Sequence, residues 1–111
     1  MEKNTNEWLG KQIQNISKGN SNAISAIYET VGRVMFAVAG IYLFNHADIE
    51  EVIQDSLMTI VRKADKFREN KNAYAWILKI VENEAKNKIV YNSKRKTVSI
   101  EKINAYAEVN E

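Results

Sequence analysis

Two different lines of side chains run along a single predicted helix between Ala73 and Tyr91. One line has the i, i+3, i+4, i+7 spacing of a buried helical face; it consists of Tyr74, Ile77, Leu78, Val81, Ala85 and Ile89. The other advances in steps of three or four residues and, at about 100° per residue, lies well round the helix from the first; it consists of Trp76, Ile80, Asn83, Asn87 and Tyr91. Because only one line can face a core, the spacing predicts a helix that packs on one side and offers the other to a partner.

The second line contains the residue types that a nucleic-acid strand can use. Aromatic rings offer stacking surfaces to bases, amides pair with base edges, and ammonium groups meet phosphates. Lys79 and Lys86 flank the line. For Trp76 alone, packing under a neighbouring element is at least as good an interpretation, because Trp is seldom left bare. Asn83 and Asn87 favour the exposed interpretation, since amides are poor choices for a buried seam.

The composition limits the remaining possibilities. A chain of 111 residues is one domain's worth. It has no cysteine and a single histidine, His46, which argues against a disulfide framework, a thiolate metal site or a histidine cluster. There is no proline, and strand-type alternation is scarce. We therefore predict an all-α fold, a small bundle of about four helices with a long helical hairpin. Without a phosphate-binding loop or a nucleophile motif, neither an enzyme nor a cofactor is expected.

Charged residues are segregated along the chain. One run has no acidic member and consists of Lys86, Lys88, Lys94, Arg95 and Lys96. An earlier run has no basic member and consists of Asp48, Glu50, Glu51 and Asp55. This segregation favours two surfaces with different partners, although a solvated face is the ordinary explanation of either run alone.

A membrane location is not expected. The first residues lack an apolar stretch after a basic start. The longest apolar run, 34–44, is short of the ~20 residues that a bilayer requires. We expect a cytoplasmic protein with no membrane insertion.

Spacing and capping residues predict four helices, at about 6–16, 23–44, 48–67 and 73–91. Gly19 suits a left-handed helix end, and Ser21 or Asn22 suits the cap of the second helix. Residues 45–47 are expected to form a short connector before Asp48, which with Glu51 gives a capping-box-like start to the third helix. Residues 92–96 are expected to form a basic hinge, 97–100 to be extended, and 101–109 to be weakly helical at best. The third and fourth helices should pack as a hairpin against the second.

The third predicted helix also carries a second stripe beside its core arc. The core arc consists of Ile49, Val52, Ile53, Ser56, Ile60 and Ala64, and it closes near Phe67. The second stripe consists of Gln54, Met58, Val61 and Asp65, with Asp55 and Leu57 beside it. An exposed Met next to amide and acidic neighbours is a suitable patch for a partner helix. Packing of Met58 and Val61 under the first helix is an equally weighted alternative.

Three stretches of the sequence match a known pattern: DIEEVIQDSLM at 48–58, KFR at 66–68 and AWILKIVEN at 75–83. Together they resemble region 2 of the sigma-70 family of RNA polymerase sigma factors, and within it the small extracytoplasmic-function group. The similarity extends from about residue 8 to residue 95. It implies a sigma region 2-like helical domain at 1–95 and a linker or C-terminal tail at 96–111, with the family's region 4 domain absent from this chain.

The resemblance implies a transcription initiation factor domain that binds the RNA polymerase core, at the coiled coil of its β′ subunit, and recognises and melts the −10 promoter element. The implied polymerase contacts are Gln54, Asp55, Leu57, Met58 and Val61. The implied DNA contacts are Trp76, Lys79, Ile80, Asn83, Lys86, Asn87 and Tyr91. The implied loop that captures a flipped base of the non-template strand consists of Phe67, Arg68, Asn70, Lys71 and Asn72.

The sequence departs from the family pattern at three positions of the fourth predicted helix. Glu82 stands where a basic residue is usual, Asn87 replaces a usual Asp, and Tyr91 lies near a usual Arg. The alternative function is a non-catalytic helical interaction module that regulates polymerase or an anti-sigma factor without promoter recognition. An anti-sigma factor is left open as a further partner. A basic amphipathic membrane binder is disfavoured, because Trp76 and Tyr91 share their line with two amides.

Overall fold

Four α-helices and one short 3-10 helix make up the computed structural model, which describes residues 3–68 and 71–109 and the side chains of 4–68, 71–96 and 100–105. The helices are α1 (Lys3–Ser17), α2 (Ala23–Tyr42), α3 (His46–Lys63) and α4 (Ala73–Val109), and the 3-10 helix, Ala64–Lys66, follows α3 directly. No strand occurs in these ranges. The predicted all-α fold is confirmed.

One face of each helix contributes to a single core. The largest fully buried side chains are Leu9, Ile13, Ile27, Val31, Met35, Val52, Ile60, Ile77 and Val81. The predicted core arc of α3 is buried at every position and closes at the buried ring of Phe67. α3 and α4 pack against each other and both pack against α2, as the hairpin prediction required.

The predicted end of α1 and the predicted start of α2 have different outcomes. Gly19 has a φ of 101°, and the Asn20 N–H donates to the Asn15 carbonyl over 2.9 Å, so α1 has the expected left-handed end. The prediction that Ser21 or Asn22 caps α2 finds no support. Asn22 has helical backbone angles and makes no side-chain cap bond. The first N–H groups of α2 donate instead to turn carbonyls, Ala23 to Asn20 and Ile24 to Ser21.

α3 begins two residues earlier than predicted, because Asn45 takes the capping role. Its backbone is extended and its side chain accepts a 2.8 Å hydrogen bond from the Ala47 N–H. The expected connector at 45–47 and the expected cap at Asp48 are therefore wrong. Asp48 lies inside α3, where its carboxylate accepts a 3.1 Å hydrogen bond from the Asn92 side chain on α4. α2 ends at Tyr42 rather than residue 44, since the backbone of Leu43 is extended.

α4 continues through the predicted hinge and the predicted extended segment to Val109, so both of those predictions are wrong. Its 37 residues give a rod of about 55 Å, which accounts for the 66 Å long axis of the molecule. The sequence after Ala73 contains neither glycine nor proline, the two residues that most oppose a helix interior. The domain boundary at 95 stays a prediction.

α2 is long and apolar enough, by length and composition, to cross a membrane. The unbroken apolar run at 34–44 is shorter than this 20-residue helix, which has further apolar residues before position 34. In the bundle, α2 buries Ile27, Val31 and Met35 in the core and exposes Glu29 and Arg33. Packing in the bundle thus accounts for its apolar residues on one side.

Candidate functional site

An exposed stripe on α3, here called the α3 face, consists of Gln54, Leu57, Met58 and Val61. Met58 is 67% exposed and Val61 39% exposed, while Leu57 packs partly against the core. The alternative in which Met58 and Val61 pack under α1 is therefore wrong. Both side chains thus leave apolar surface open to solvent, and their predicted role in binding a partner stays a prediction.

α2 adds aromatic residues to the α3 face that the sequence analysis missed. Tyr28 and Phe36 line a groove of about 520 Å³ together with Leu57 and Met58. Tyr28 has the spacing of the α2 core stripe but lies at its exposed edge. Its ring lies against the backbone at Gly32, where a Cβ atom would come within 3.0 Å of the ring. Gly32 thus allows the tyrosine ring to lie flat along α2, beside α3.

Asp55 lies away from the α3 face, on the side of α3 that meets α4. It lines a small groove with Glu51, Glu84, Asn87 and Tyr91. Desolvation, together with the charges of Glu51 and Glu84, raises the pKa of the Asp55 carboxyl. The structure therefore separates Asp55 from the other predicted polymerase contacts and brings it next to two of the predicted DNA contacts.

The predicted DNA-binding line on α4 is divided between solvent and core. Asn83 and Asn87 are exposed, as expected. Ile80 is only 8% exposed and belongs to the core, so its prediction as an exposed contact is wrong. Ile80 lies three residues after the buried Ile77, at the edge of the buried side of α4. Trp76 is half-buried, and its ring tilts against that of Phe67 with centroids 5.2 Å apart.

The two lysines that flank the predicted line share the Glu82 carboxylate. Glu82 accepts a 2.7 Å hydrogen bond from Lys86, and Lys79 lies 3.6 Å away on its other side. The hydrogen bond from Lys86 lowers the pKa of Glu82, and the same bond raises the pKa of Lys86. The two lysines thus balance the negative charge of Glu82, which stands where the family usually has a basic residue.

We call the exposed group of Lys79, Asn83, Lys86 and Asn87 the α4 face.

Lys88 joins α3 to α4 instead of extending the basic surface. Its ammonium group lies 2.7 Å from a Glu51 carboxylate oxygen and 3.8 Å from one of Asp48, and its side chain is only 10% exposed. The hydrogen bond to Glu51 raises the pKa of Lys88. Tyr91, 52% exposed, has the Lys88 ammonium 4.9 Å and the Arg95 guanidinium 5.6 Å from its ring centroid. Two cations therefore already occupy the surroundings of that ring.

The predicted base-capture loop is anchored at both ends. Phe67 is buried, so its prediction as a loop contact is wrong: its ring packs in the core and against Trp76. Arg68, Lys71 and Asn72 are exposed, and Asn70 lies outside the described residues.

The Asn72 side chain at the other end of the loop is already engaged by the protein. Its Oδ1 accepts from the Ala75 N–H over 3.0 Å and from the Asn6 side chain over 3.0 Å. Asn6 also accepts from the Tyr74 N–H over 2.9 Å. Sequence reasoning missed Asn6, because its partners are 66 and 68 residues away along the chain.

Comparison with known proteins decides which family this arrangement belongs to. Residues 27–95 match the Sigma-70 region 2 family. The chain belongs to the sigma-70 region 2 family. The resemblance inferred from the motifs at 48–58 and 75–83 is confirmed, and the matched range contains the α3 face and the α4 face. α1, with Asn6, lies outside that range.

Similar proteins of known identity are extracytoplasmic-function factors, the group that the sequence motifs indicated. ECF RNA polymerase sigma-E factors of Salmonella typhimurium and Salmonella typhi are each 25% identical to this chain over 83 residues. The alignments cover 75% of this chain and 43% of each relative. The chain therefore spans less than half the length of the curated relatives it matches.

A solved structure shares the fold. It is the NMR structure of an engineered region 2 of sigmaE in complex with GTAAAA, with a TM-score of 0.73 and 21% sequence identity. The superposition covers 86% of this chain and 97% of the other. The small all-α bundle of sigma region 2 type is thus confirmed as the fold.

Proposed function

We propose that this chain binds two partners through separate faces. The α3 face binds the coiled coil of the β′ subunit of the RNA polymerase core. The α4 face and the loop at 68–72 bind the non-template strand of the −10 promoter element and help to melt it. The observation that carries the proposal is the exposure of an apolar stripe on α3 and of a separate amide-lysine stripe on α4, within a chain of the sigma-70 region 2 family. A protein with these partners acts in the cytoplasm.

The α3 face has the chemistry of a helix-binding surface. Met58 and Val61 expose apolar area next to the groove that Tyr28 and Phe36 line on α2. Contiguous apolar area of this kind marks protein-binding sites on soluble domains, and a groove between helices with aromatic and aliphatic walls suits a helical partner. Methionine adapts its shape to a partner at low cost. The exposed Gln54 amide at the rim of the groove offers hydrogen bonds that would orient the partner.

The α4 face has the chemistry of a single-strand contact. Asn83 and Asn87 present exposed side-chain amides that can pair with base edges. Beside them, Lys79 and Lys86 together with Glu82 carry a net positive charge that attracts phosphates. Unstacking a base costs a few kcal/mol, and stacking on an aromatic side chain returns ~1–3 kcal/mol per base. The exposed part of Trp76 is the stacking surface that we propose. Melting by capture of unpaired bases uses no catalytic group.

Polymerase capture tests the role of the α3 face. Met58→Ala, alone and combined with Val61→Ala, should weaken capture of the purified RNA polymerase core by about tenfold, the size expected for a central apolar contact. Ile41→Ala is the matched control, because Ile41 is an apolar residue on α2 that is exposed outside the α3 face. Capture that is unchanged in both Met58 variants would remove the polymerase-binding proposal.

Single-stranded DNA binding tests the role of the α4 face. Asn83→Ala, alone and with Trp76→Ala, should abolish the preference of the chain for −10-like over scrambled strands and leave weak, salt-dependent binding to both. Asn22→Ala is the matched control, because Asn22 is an exposed asparagine without a side-chain cap bond. Thermal denaturation of each variant separates loss of binding from loss of fold, which matters for the half-buried Trp76. A preference that survives in Asn83→Ala would contradict promoter recognition by this face.

A second candidate function has support from the geometry of α4. Lys79 and Lys86 share Glu82, and Lys88 and Arg95 surround Tyr91. Lysines that already pair with a carboxylate bind phosphates less strongly, and a ring that already has two cations beside it is less available to stack on a base. These pairings therefore favour a module that binds polymerase, or an anti-sigma factor, without promoter recognition. Such a module would lose polymerase capture in the Met58 variants and would show no strand preference in the wild-type chain.

A further inference from the structure

The first turn of α4 is satisfied by side chains from two distant parts of the chain. The first N–H groups of any α-helix lack partners within the helix. In α4, the Ala75 N–H donates to Asn72 Oδ1 over 3.0 Å, which is an ordinary N-cap. The Tyr74 N–H donates to Asn6 Oδ1 on α1 over 2.9 Å. α1 thus supplies part of the cap of α4.

Asn6 and Asn72 are also joined directly. The Asn6 amide nitrogen donates to Asn72 Oδ1 over 3.0 Å, so that oxygen accepts two hydrogen bonds. Asn6 therefore holds the backbone of α4 at Tyr74 and the side chain of Asn72, the last residue of the preceding loop, at the same time. The other end of the loop is fixed by the buried Phe67 ring. Arg68 and Lys71 lie between the two anchors, and the Lys71 N–H donates to the Arg68 carbonyl over 2.9 Å.

We infer that Asn6 is a positioning residue for nucleotide capture, which makes α1 part of the nucleic-acid site. It acts through Asn72 and the Tyr74 amide and does not touch DNA. With the clamp in place, Asn72 and the first turn of α4, which leads to Trp76, keep one relative orientation, and Lys71 directly precedes Asn72 in the chain. This inference rests on the proposed binding of DNA by that loop, and it extends the site beyond residues 27–95, the range of the family match.

Four variants of the full chain test the inference. Asn6→Ala removes both hydrogen bonds of the clamp. Asn72→Ser keeps a capping oxygen for Ala75 but is too short to reach Asn6. Asn6→Asp keeps an acceptor for the Tyr74 N–H, next to the positive end of the helix dipole. Asn4→Ala is the matched control, an exposed asparagine on the same helix.

Two measurements are made on each variant. Amide hydrogen exchange of Tyr74 reports the clamp without any DNA. Fluorescence anisotropy compares a single strand that the wild-type chain has enriched from a random pool with the unselected pool. In Asn6→Ala we expect Tyr74 exchange to rise by about fivefold, because the Tyr74 N–H loses its one hydrogen bond to Asn6. We expect the preference for the enriched strand to fall by about fivefold as well. Asn72→Ser should lose the same preference, Asn6→Asp should retain Tyr74 protection, and Asn4→Ala should match wild type.

The outcomes separate this inference from the proposed function. An unchanged strand preference in both Asn6→Ala and Asn72→Ser would overturn the positioning role, even if Tyr74 exchange rises. A wild-type chain that enriches no strand at all would refute the proposed DNA contact and the positioning role with it, whereas raised Tyr74 exchange would still establish the clamp. If Asn6→Ala does not fold, Asn72→Ser and Asn6→Asp decide the question, because each keeps one half of the capping arrangement.

Discussion

The outer faces of α3 and α4 look equivalent in the sequence, yet the folded chain treats them differently. On α3, Met58 and Val61 remain partly exposed, and α2 extends the surface with Tyr28 and Phe36. On α4, the core takes up Ile80 and part of Trp76, and carboxylates engage the nearby lysines.

The difference teaches that an exposed side chain indicates a binding surface only if no neighbour within the chain already satisfies it. An apolar side chain on the outside of a helix has few ways to be satisfied without a second molecule. A charged side chain on the outside usually has an opposite charge within reach, and the four-residue spacing of Glu82 and Lys86 provides one on the same helix. The exposed apolar residues of the α3 face therefore indicate a binding partner more directly than the charged residues of the α4 face do.

Core membership of Ile80 gives the largest expected effect. Ile80→Ala should lower the free energy of unfolding by about 3 kcal/mol, because it leaves a cavity in a packed core. Asn83→Ala, three residues along the same line, should change it by no more than about 0.5 kcal/mol. Urea denaturation followed by circular dichroism measures both. Equal effects of the two substitutions would mean that the core boundary on α4 is placed wrongly.

Removal of the Lys88 link should have the next largest effect. Lys88→Met keeps the apolar stem and removes the charge between Glu51 and Asp48, at a cost of about 1–2 kcal/mol at neutral pH. Because folding raises the pKa of Lys88 above its ordinary 10.5, its contribution is complete below pH 10.5 and is lost as the pH rises through the folded value. Stability measured from pH 8 to 11 should therefore fall less in Lys88→Met than in wild type. Parallel curves would contradict the link.

Two glycines of α2 allow a sharper test of the α3 face. Gly40→Ala should raise the free energy of unfolding by about 0.5–1 kcal/mol, since a Cβ there makes only an ordinary 4.0 Å contact with Ile49. Gly32→Ala should gain less, because its Cβ would press on the Tyr28 ring at 3.0 Å. It should also weaken polymerase capture, which Gly40→Ala should leave unchanged. Identical behaviour of the two variants in both measurements would show that the Tyr28 ring is not held by Gly32.

Asp55 gives the smallest effect. Because desolvation and two acidic neighbours raise its pKa, the ionised carboxylate destabilises the fold above the folded pKa, and this penalty disappears as the pH falls towards 3.8. Because Asp55 is exposed and solvent screens its charge, Asp55→Asn should raise the free energy of unfolding by no more than about 0.5 kcal/mol at pH 7, with a smaller gain near pH 4. Thermal melts at the two pH values measure the difference. Destabilisation at pH 7 would indicate that the carboxylate is compensated within the chain.

Sequence reasoning predicted the parts of the fold that depend on helical periodicity. The α3 core arc is correct at every position because its apolar residues repeat at one period over five turns. The end of α1 is correct because Gly19 alone marks it. The length of α4 was also within reach, since the sequence has no glycine or proline after Gly40. The basic cluster at 94–96 suggested a hinge, but charged residues do not interrupt a helix.

The parts that sequence reasoning missed depend on contacts between distant residues. Lys88 pairs with Glu51 across 37 positions, and Asn6 reaches Tyr74 across 68 positions. Contacts between residues so far apart in the chain leave no periodic pattern in the sequence. The choice of Asn45 over Asp48 as the cap of α3 depends on which residue has the extended backbone. Two suitable capping residues three positions apart cannot be told apart by type alone.

Chemical shift mapping gives the most direct test of the two-face account. The side-chain amide signals of Asn83 and Asn87, the Trp76 indole signal and the Met58 methyl signal are followed while single-stranded promoter DNA, and separately a β′ coiled-coil fragment, are added. We predict that DNA shifts the two amides and the indole and leaves the methyl unchanged, while the coiled coil does the reverse. DNA that shifts the Met58 methyl but neither asparagine amide would contradict the account.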